Sequence, residues 1–323
     1  MTMTITKRRI LTALLSTAFL TMTSMSAHAQ DNTLRIIVPY PAGGSTDLAA
    51  RIIANELQPR LGGTVVVENM VGAGGRLAMQ NIKRMPADAN VLVIANPALM
   101  TVAPMVYKIN GYEPEVDFQT LSQVTSYEFG VAVGAAVPVR EFTHMIAWIK
   151  ANPEKANIGV PATGSLPHFF ALMVNKATAT ATPVVGYKGS APLSTDLMGG
   201  HVPVAIDSLD ALLPQHQGGK IKILATSGEK RSVPSIPTLK ESGFNTAAIG
   251  WNVVFAKASM PADKAARIAK EIAAIMQLPA VREKFLAAKA EPVSSTQAQT
   301  KAMLTSFKAQ WQPLIVQSGL KFD

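Results

Sequence analysis

Hydrophobic residues after residue 33 follow two alternating patterns. Short runs rich in Val, Ile and Leu, such as Leu34–Val38 and Val91–Ala95, have the length and composition of buried strands. After the first run, Leu48, Ile52 and Leu57 recur at the spacing of one helix face. This alternation predicts βαβ units, and therefore an α/β fold with mixed, mostly parallel sheets flanked by helices.

The α/β pattern occurs in two series along the chain. Residues 129–134 and 249–256 have strand patterns that connect the series, and the C-terminal portion after Pro261 is helical in pattern. We therefore predict two lobes with a cleft between them, residues 30–128 plus 254–323 and residues 129–253. The other predicted strands cover residues 64–68, 158–160, 182–186, 202–206 and 221–226.

The N-terminus has the pattern of an export signal. Residues 7–9 are basic, residues 10–22 are largely apolar, and Ala27 and Ala29 form a small-x-small cleavage pattern. The apolar run is shorter than the roughly 20 residues that cross a bilayer. The sequence predicts a cleaved signal peptide over residues 1–29 and a periplasmic location.

Composition narrows the class of protein. The chain has 323 residues, of which 48% are hydrophobic and 16% charged, as in globular proteins. It contains no cysteine, which excludes disulfides, thiolate metal sites and cysteine nucleophiles. Loss of the three basic residues of the signal peptide lowers the net charge from +9 to +6. The remaining Lys and Arg residues form no basic stripe, so nucleic acid is not a predicted partner, whereas a positive field favours anionic ligands.

A strand, a small-residue loop and a helix start follow one another four times, at residues 42–46, 72–75, 163–165 and 188–190. Glycine lets the backbone approach a ligand closely. The first N–H groups of a helix lack internal partners and lie at the positive end of its dipole, where carboxylate or phosphate binds. Each loop alone is also compatible with an ordinary capped turn. Because such loops meet at the carboxyl ends of parallel strands, together they predict one anion-binding crevice.

Enzymatic alternatives have weaker support. A secreted hydrolase would use Ser165 or Ser227, but no histidine lies in a matching motif that would supply a base. Gly72 and Gly74 begin a dinucleotide fingerprint that the sequence does not complete. The histidines are too widely spaced to predict a metal pair, and we predict neither enzymatic activity nor a cofactor. Asp207 is interpreted either as a helix cap or as a cleft residue that selects an amine or hydroxyl or holds a bridging water.

The loops resemble those of the tripartite tricarboxylate transporter substrate-binding proteins, also called the Bug family. The similarity covers essentially the whole chain after the signal peptide, in family order. The residues that carry it are IVPYPAGGSTD (37–47), VVVEN (65–69), GAGG (72–75), TGSLPH (163–168), YKGSAP (187–192), DLMGGHV (196–202), Asp207 with Ser208, and PSIPT (234–238).

The resemblance implies a two-lobed periplasmic binding protein of type II that closes on its ligand like a flytrap. In the family, loops 42–46 and 72–75 hold one carboxylate, while loop 163–165 and Asp207 face the other end of the ligand. Family ligands are dicarboxylates, acidic amino acids and aromatic acids, which a membrane pair imports with an ion gradient. Met70, together with Val71, stands where the family usually has Arg-Pro.

The sequence thus predicts a monomeric carboxylate-binding protein that delivers its ligand to integral membrane transporter subunits. A periplasmic sensor domain that docks on a receptor is the alternative. His168, in the first turn after Ser165, is interpreted as a packing or capping residue more than a ligand contact. The predicted ligand-binding residues are Tyr40, Ala42, Gly43, Gly44, Ser45, Thr46, Ala73, Gly74, Gly75, Asn96, Thr163, Gly164, Ser165, His168 and Asp207.

Overall fold

The computed structural model describes residues 33–134, 137–319 and 321, and the predicted signal peptide lies outside them. The strands of this described part are β1 (Leu34–Val38), β2 (Val65–Asn69), β3 (Val91–Ala95), β4 (Phe118–Val133), β5 (Ile158–Val160), β6 (Val184–Gly186), β7 (Val204–Ser208), β8 (Lys222–Thr226), β9 (Ile249–Lys257) and β10 (Ala290–Pro292). Its helices are α1 (Ser45–Leu61), α2 (Arg76–Arg84), α3 (Ala98–Thr101), α4 (Ala103–Val106), α5 (Pro114–Asp117), α6 (Phe142–Ala151), α7 (Leu166–Thr178), α8 (Ser190–Gly199), α9 (Leu209–Gln217), α10 (Ala262–Ile275), α11 (Pro279–Ala287) and α12 (Gln297–Ser318).

The first half of the sheet contains parallel strands in the order β2-β1-β3, with β9 antiparallel beside β3. Helices cover both faces of β1. Ile36 and Val38 belong to a cluster that includes α1 and α10 residues, whereas Ile37 packs in a cluster with residues of α2. Burial on both faces explains why every residue of β1 except Arg35 is apolar, and Arg35 pairs with Glu68 of β2.

Strand β4 connects the two halves of the sheet. Its residues 118–128 pair antiparallel with β9, and its residues 129–133 pair antiparallel with β7 and β8. The second half continues from β7 through the parallel strands β5 and β6. The parallel strands of each half therefore end in loops that lead into helices, which places those loops along one side of the sheet.

Several predicted boundaries were wrong. The prediction started the crossing strand at residue 129, but β4 begins at Phe118. The sequence indicates Ser45 or Thr46 as the cap of the first helix, but the N-cap of α1 is Gly44. The predicted strand 202–206 is shifted, because β7 extends to Ser208 and includes Asp207. The helices α3, α4, α5 and α9 and the strand β10 were not predicted.

Buried polar side chains explain why the first part of β4 was missed. Ser122, Gln123 and Thr125 are buried in the strand, and each also has a hydrogen-bond partner distant in sequence. Asn252 Nδ2 donates to Thr125 Oγ1 at 2.9 Å, and Ser295 N donates to Ser122 Oγ at 3.1 Å. The sequence therefore resembles a polar loop, and only the tertiary structure satisfies these groups.

Among the described helices, none is both long and apolar enough to span a bilayer.

Candidate ligand-binding cleft

Loops from both halves of the sheet surround a cavity of about 70 Å³. The two sides are in contact around it. A Cβ atom added to Gly44 would lie 3.8 Å from Ser190 Oγ, and one added to Gly189 would lie 2.5 Å from Pro41 Cγ. The cavity is lined by Tyr40, Pro41, Gly44, Ser45, Thr46, Asp47, Asn96, Tyr127, Pro161, Ala162, Ser165, Pro167, Gly189, Ser190, Asp207 and Ser208.

Four helices begin at this cavity. The N-caps of α1, α7, α8 and α9 are Gly44, Ser165, Gly189 and Ser208, and all four residues line it. Only Ser165 accepts a side-chain capping bond, since its Oγ accepts from His168 N at 3.4 Å. The helix starts at the other three N-caps have no side-chain cap. Their first-turn N–H groups and aligned dipoles make the cavity favourable for an anion.

The predicted site residues divide into two groups. Those that line the cavity are Tyr40, Gly44, Ser45, Thr46, Asn96, Ser165 and Asp207. Those that do not line it are Ala42, Gly43, Ala73, Gly74, Gly75, Thr163, Gly164 and His168.

Hydrogen bonds to Asp47 hold the first loop in place. Asp47 Oδ2 accepts from Gly43 N at 3.1 Å, and Oδ1 accepts from Asn69 Nδ2 at 2.9 Å. Arg51 donates to both carboxylate oxygens at 3.0 Å. Burial alone would raise the pKa of Asp47, but the bonds from Arg51, Asn69 and Gly43 outweigh it and lower the pKa. The Gly43 N–H is therefore committed to the loop itself.

Polar side chains on the first-half wall are also held in place. Tyr40 is hydrogen-bonded to Asn96, and burial raises its pKa well above the usual value. Asn96 Oδ1 accepts from Ala98 N at 3.0 Å and so fixes the start of α3. Thr46 Oγ1 donates to Asn252 Oδ1 at 2.8 Å, which ties α1 to β9. These contacts pre-organise the wall before any ligand binds.

Asp207 faces the cavity and does not cap α9. The carboxyl is 3% exposed, and its Oδ1 accepts from Ser208 N at 2.7 Å. Burial, opposed by hydrogen bonds from Ser190 and Ser208 and assisted by the nearby Asp210, raises its pKa to about 7. Near neutral pH the group can therefore be protonated and donate a hydrogen bond to a carboxylate or hydroxyl.

His168 belongs to the packing of the second-half wall. It is buried, its Nδ1 accepts from Gly164 N at 2.9 Å, and its ring stacks on Phe169. Burial lowers its pKa to about 4, so the ring is neutral at physiological pH. Its position supports the interpretation of His168 as a capping and packing residue, and loop 163–165 takes its shape from it.

The loop at residues 72–75 contacts the second half beside the cavity. A Cβ atom on Gly74 would lie 3.1 Å from the carbonyl oxygen of Thr163 and 3.2 Å from the Tyr107 hydroxyl. Gly74 also has φ +66°, a conformation that favours glycine. This loop is thus part of the seam between the two halves, which explains its need for small residues.

The serines of the hydrolase alternative are in unsuitable surroundings. Ser227 is fully buried, and its hydroxyl donates to Ala248 O at 2.6 Å while accepting from Phe129 N at 2.8 Å. The Nδ1 atom of His168, near Ser165, is occupied by the Gly164 N–H. The hydroxyl of Ser227 is therefore committed to the fold, and the Nδ1 atom of His168 is not available as the base that Ser165 would require.

A larger cavity of about 460 Å³ lies elsewhere, between α12 and the start of β4. Its floor includes Met100, Phe118 and Phe255, and Lys301 and Lys308 are at its rim. None of the described residues that line it belongs to a loop of the second half of the sheet. Size alone therefore does not identify the site, and the smaller cavity is the one where the helix starts converge.

Sequence reasoning missed several cavity residues. Ser190 and Ser208 belong to motifs that carry the family resemblance but were not among the predicted ligand-binding residues, although their place at a helix start was a usable signal. Tyr127 had no such signal, because it comes from the part of β4 that was not predicted. Its hydroxyl is hydrogen-bonded to Ser45, and burial raises its pKa above the usual value, so it remains protonated.

Residues 49–320 match the family described as the tripartite tricarboxylate transporter family receptor. The chain belongs to this family. BugT of Bordetella pertussis is 30% identical over 292 residues, which cover 89% of this chain and 90% of BugT. The family is one of periplasmic solute-binding proteins and not of enzymes, which confirms both the resemblance seen in the sequence and the predicted absence of catalysis.

Solved structures confirm the predicted fold class of a two-lobed periplasmic binding protein. R. palustris Rpa4515 with adipate is 27% identical and has a TM-score of 0.86, covering 90% of this chain and 98% of that chain. The periplasmic binding protein BugD is also 27% identical, with a TM-score of 0.84 and the same coverage. The mixed α/β sheet of this chain is consistent with that two-lobed fold.

Proposed function

We propose that this receptor captures a small organic carboxylate in the periplasm and delivers it to membrane subunits of a tripartite tricarboxylate-type transporter. The observation that carries the proposal is the convergence of four helix starts on one cavity, three of them without a side-chain cap. Carboxylate oxygens accept from such N–H groups. Rpa4515, which shares the fold at 27% identity, is solved with adipate.

Ligand entry requires the lobes to separate. The cavity of about 70 Å³ is small beside the roughly 300–1,000 Å³ of typical ligand pockets. The two sides approach closely at Gly189 and Pro41, which line the cavity, and at Gly74 and Thr163 beside it. We propose that the lobes, residues 30–128 plus 254–323 and residues 129–253, open to admit the ligand and close because the ligand binds the closed form more tightly.

Calorimetry of the purified protein tests ligand class. The panel contains adipate, malate, glutamate and benzoate, with alkyl amines of matched size as controls, and circular dichroism establishes that the sample is folded. At least one carboxylate should bind at one site per chain while the amines do not. A folded protein that binds none of the acids would overturn the proposal.

Delivery and location need separate tests. Cell fractionation with mass spectrometry should recover a periplasmic chain that begins at Gln30, since cleavage is expected after Ala29. Vesicles that contain the membrane subunits should take up the bound acid only when the receptor is added. Binding without uptake in any such reconstitution would favour a sensor that docks on a receptor.

A further inference from the structure

Arg76 is a buried cation whose guanidinium has unpartnered N–H groups. It is the first residue of α2 and is 8% exposed. Within the described part of the chain, its Nε and Nη1 atoms are shielded from solvent and have no hydrogen-bond partner. Its guanidinium carbon lies 3.5 Å from the centroid of the Tyr107 ring, over the ring face.

Such an arrangement is costly for the folded protein. A buried ion without a partner is strongly destabilising, and an arginine remains charged because its side chain does not lose its proton in proteins. The face of Tyr107 offsets only part of this cost through the cation–π contact. The fold therefore keeps a destabilising group at this position, which is the expected behaviour of a binding residue.

The position of Arg76 connects it to the cleft. It follows the loop at residues 72–75 directly, and the Tyr107 ring on which it lies belongs to the same seam. A Cβ atom placed on Gly74 would lie 3.2 Å from the Tyr107 hydroxyl and 3.1 Å from Thr163 O in the second lobe. Arg76 does not itself line the 70 Å³ cavity, but through loop 72–75 and Tyr107 it adjoins the seam beside it.

We infer that Arg76 binds a second anionic group of the ligand and so determines preference for dicarboxylates over monocarboxylates. This inference rests on the proposed function, in which the helix starts hold the first carboxylate. The planar guanidinium fork matches a carboxylate with two parallel hydrogen bonds, a geometry that lysine does not provide. Pairing with the ligand would also remove the cost of the unpartnered charge.

The experiment compares wild-type protein with the Arg76→Met, Arg76→Lys and Arg84→Met variants. Arg84→Met is the matched control, because Arg84 is an exposed residue at the other end of the same helix and loses the same charge. Each protein is titrated by calorimetry with succinate, glutarate and adipate, and with butyrate, valerate and hexanoate as monoacids of equal length. Melting temperatures are measured without ligand.

Wild-type protein should prefer a diacid to its monoacid, and Arg76→Met should abolish that preference through at least a ~30-fold loss of diacid affinity. Its monoacid affinity should remain within about threefold, and Arg76→Lys should keep only part of the preference. Arg84→Met should behave as wild type. The ligand-free Arg76→Met protein should melt at or above the wild-type temperature, since an unpaired buried charge is removed.

The remaining outcomes separate the two proposals. If wild-type protein binds diacids and Arg76→Met keeps the diacid preference, or loses both ligand classes equally, the inference about Arg76 is wrong and the proposed function stands. A wild-type preference for monoacids would also overturn the inference. If folded wild-type protein binds neither class, the proposed function fails, and the role of Arg76 fails with it.

Discussion

Replacing Asp207 by Asn tests the electrostatics of the cleft. Asp207 is 3% exposed, and its pKa is raised from 3.8 to about 7. A shift of about 3 units corresponds to about 4 kcal/mol, at ~1.36 kcal/mol for each unit. The unfolded chain releases this proton near its ordinary pKa, whereas the folded protein holds it until about pH 7. Because the folded state binds more protons in this window, stability falls as pH rises from about 4 to about 7 and is then constant.

An asparagine side chain cannot ionise, so Asp207→Asn should lose this component of the pH dependence. The free energy of unfolding of the variant minus that of the wild type should therefore be larger at about pH 8 than at about pH 5, by about 2–3 kcal/mol. Urea unfolding followed by tryptophan fluorescence measures both values. Asp263→Asn, at an exposed residue in the first turn of α10, is the control and should show no such trend.

The same variant tests the role of Asp207 in binding. A neutral group at this position donates to a carboxylate, whereas an ionised one repels it. Wild-type affinity for an organic acid should fall above about pH 7, and Asp207→Asn should remove that fall. An equal stability difference at both pH values, together with unchanged pH dependence of binding, would refute the reasoning.

Three further substitutions probe the loops around the cleft. Gly74→Ala should weaken binding at least tenfold and destabilise the fold by about 1 kcal/mol, because the new Cβ lies 3.1 Å from Thr163 O and the residue has φ +66°. Calorimetry measures the affinity and urea unfolding measures the stability. Unchanged affinity would contradict the seam contact. In the wild type, the folded His168 ring stays neutral while the unfolded one gains a proton, so the free energy of unfolding falls as pH falls from 6.5 to about 4. His168→Asn should remove this fall, which amounts to up to about 3 kcal/mol. An unaltered acid unfolding profile would argue against a buried neutral ring. Asn69→Ala should lower the free energy of unfolding by about 1–3 kcal/mol and raise the pKa of Asp47, because that carboxylate loses a donor at 2.9 Å. Carbon-detected NMR titration measures the pKa of Asp47. An unshifted pKa would show that this hydrogen bond is unimportant.

Local patterns in the sequence predicted the elements whose contacts are short in range. Strand β3 is a continuous buried apolar run, and β1 is one apart from Arg35; the bounds of both strands were predicted correctly. The small-residue loops were recognised as helix starts because glycine and serine act through their own backbone. Gly44 and Ser165 accordingly lie at the cavity as N-caps.

Contacts between distant segments could not be read from the sequence. The first part of β4 forms a strand only because Thr125 meets Asn252, more than a hundred residues away. Gly43 illustrates the same point within a loop. Its φ of +93° was compatible with a ligand-facing amide, but Asp47 takes its N–H, and a Cβ there would meet nothing within 4 Å. The predicted ligand contact of Gly43 therefore has no support from these positions, and a substitution at Gly74 is the sharper test of the loops.

The central claim is that helix starts from both lobes hold one carboxylate. A crystal structure of the protein with a bound organic acid tests it most directly. It should show carboxylate oxygens about 2.9 Å from backbone N–H groups at the starts of α1 and α8, with Asp207 facing the same ligand. A ligand bound instead in the 460 Å³ cavity beside α12, with the helix starts contacting only solvent, would contradict the account.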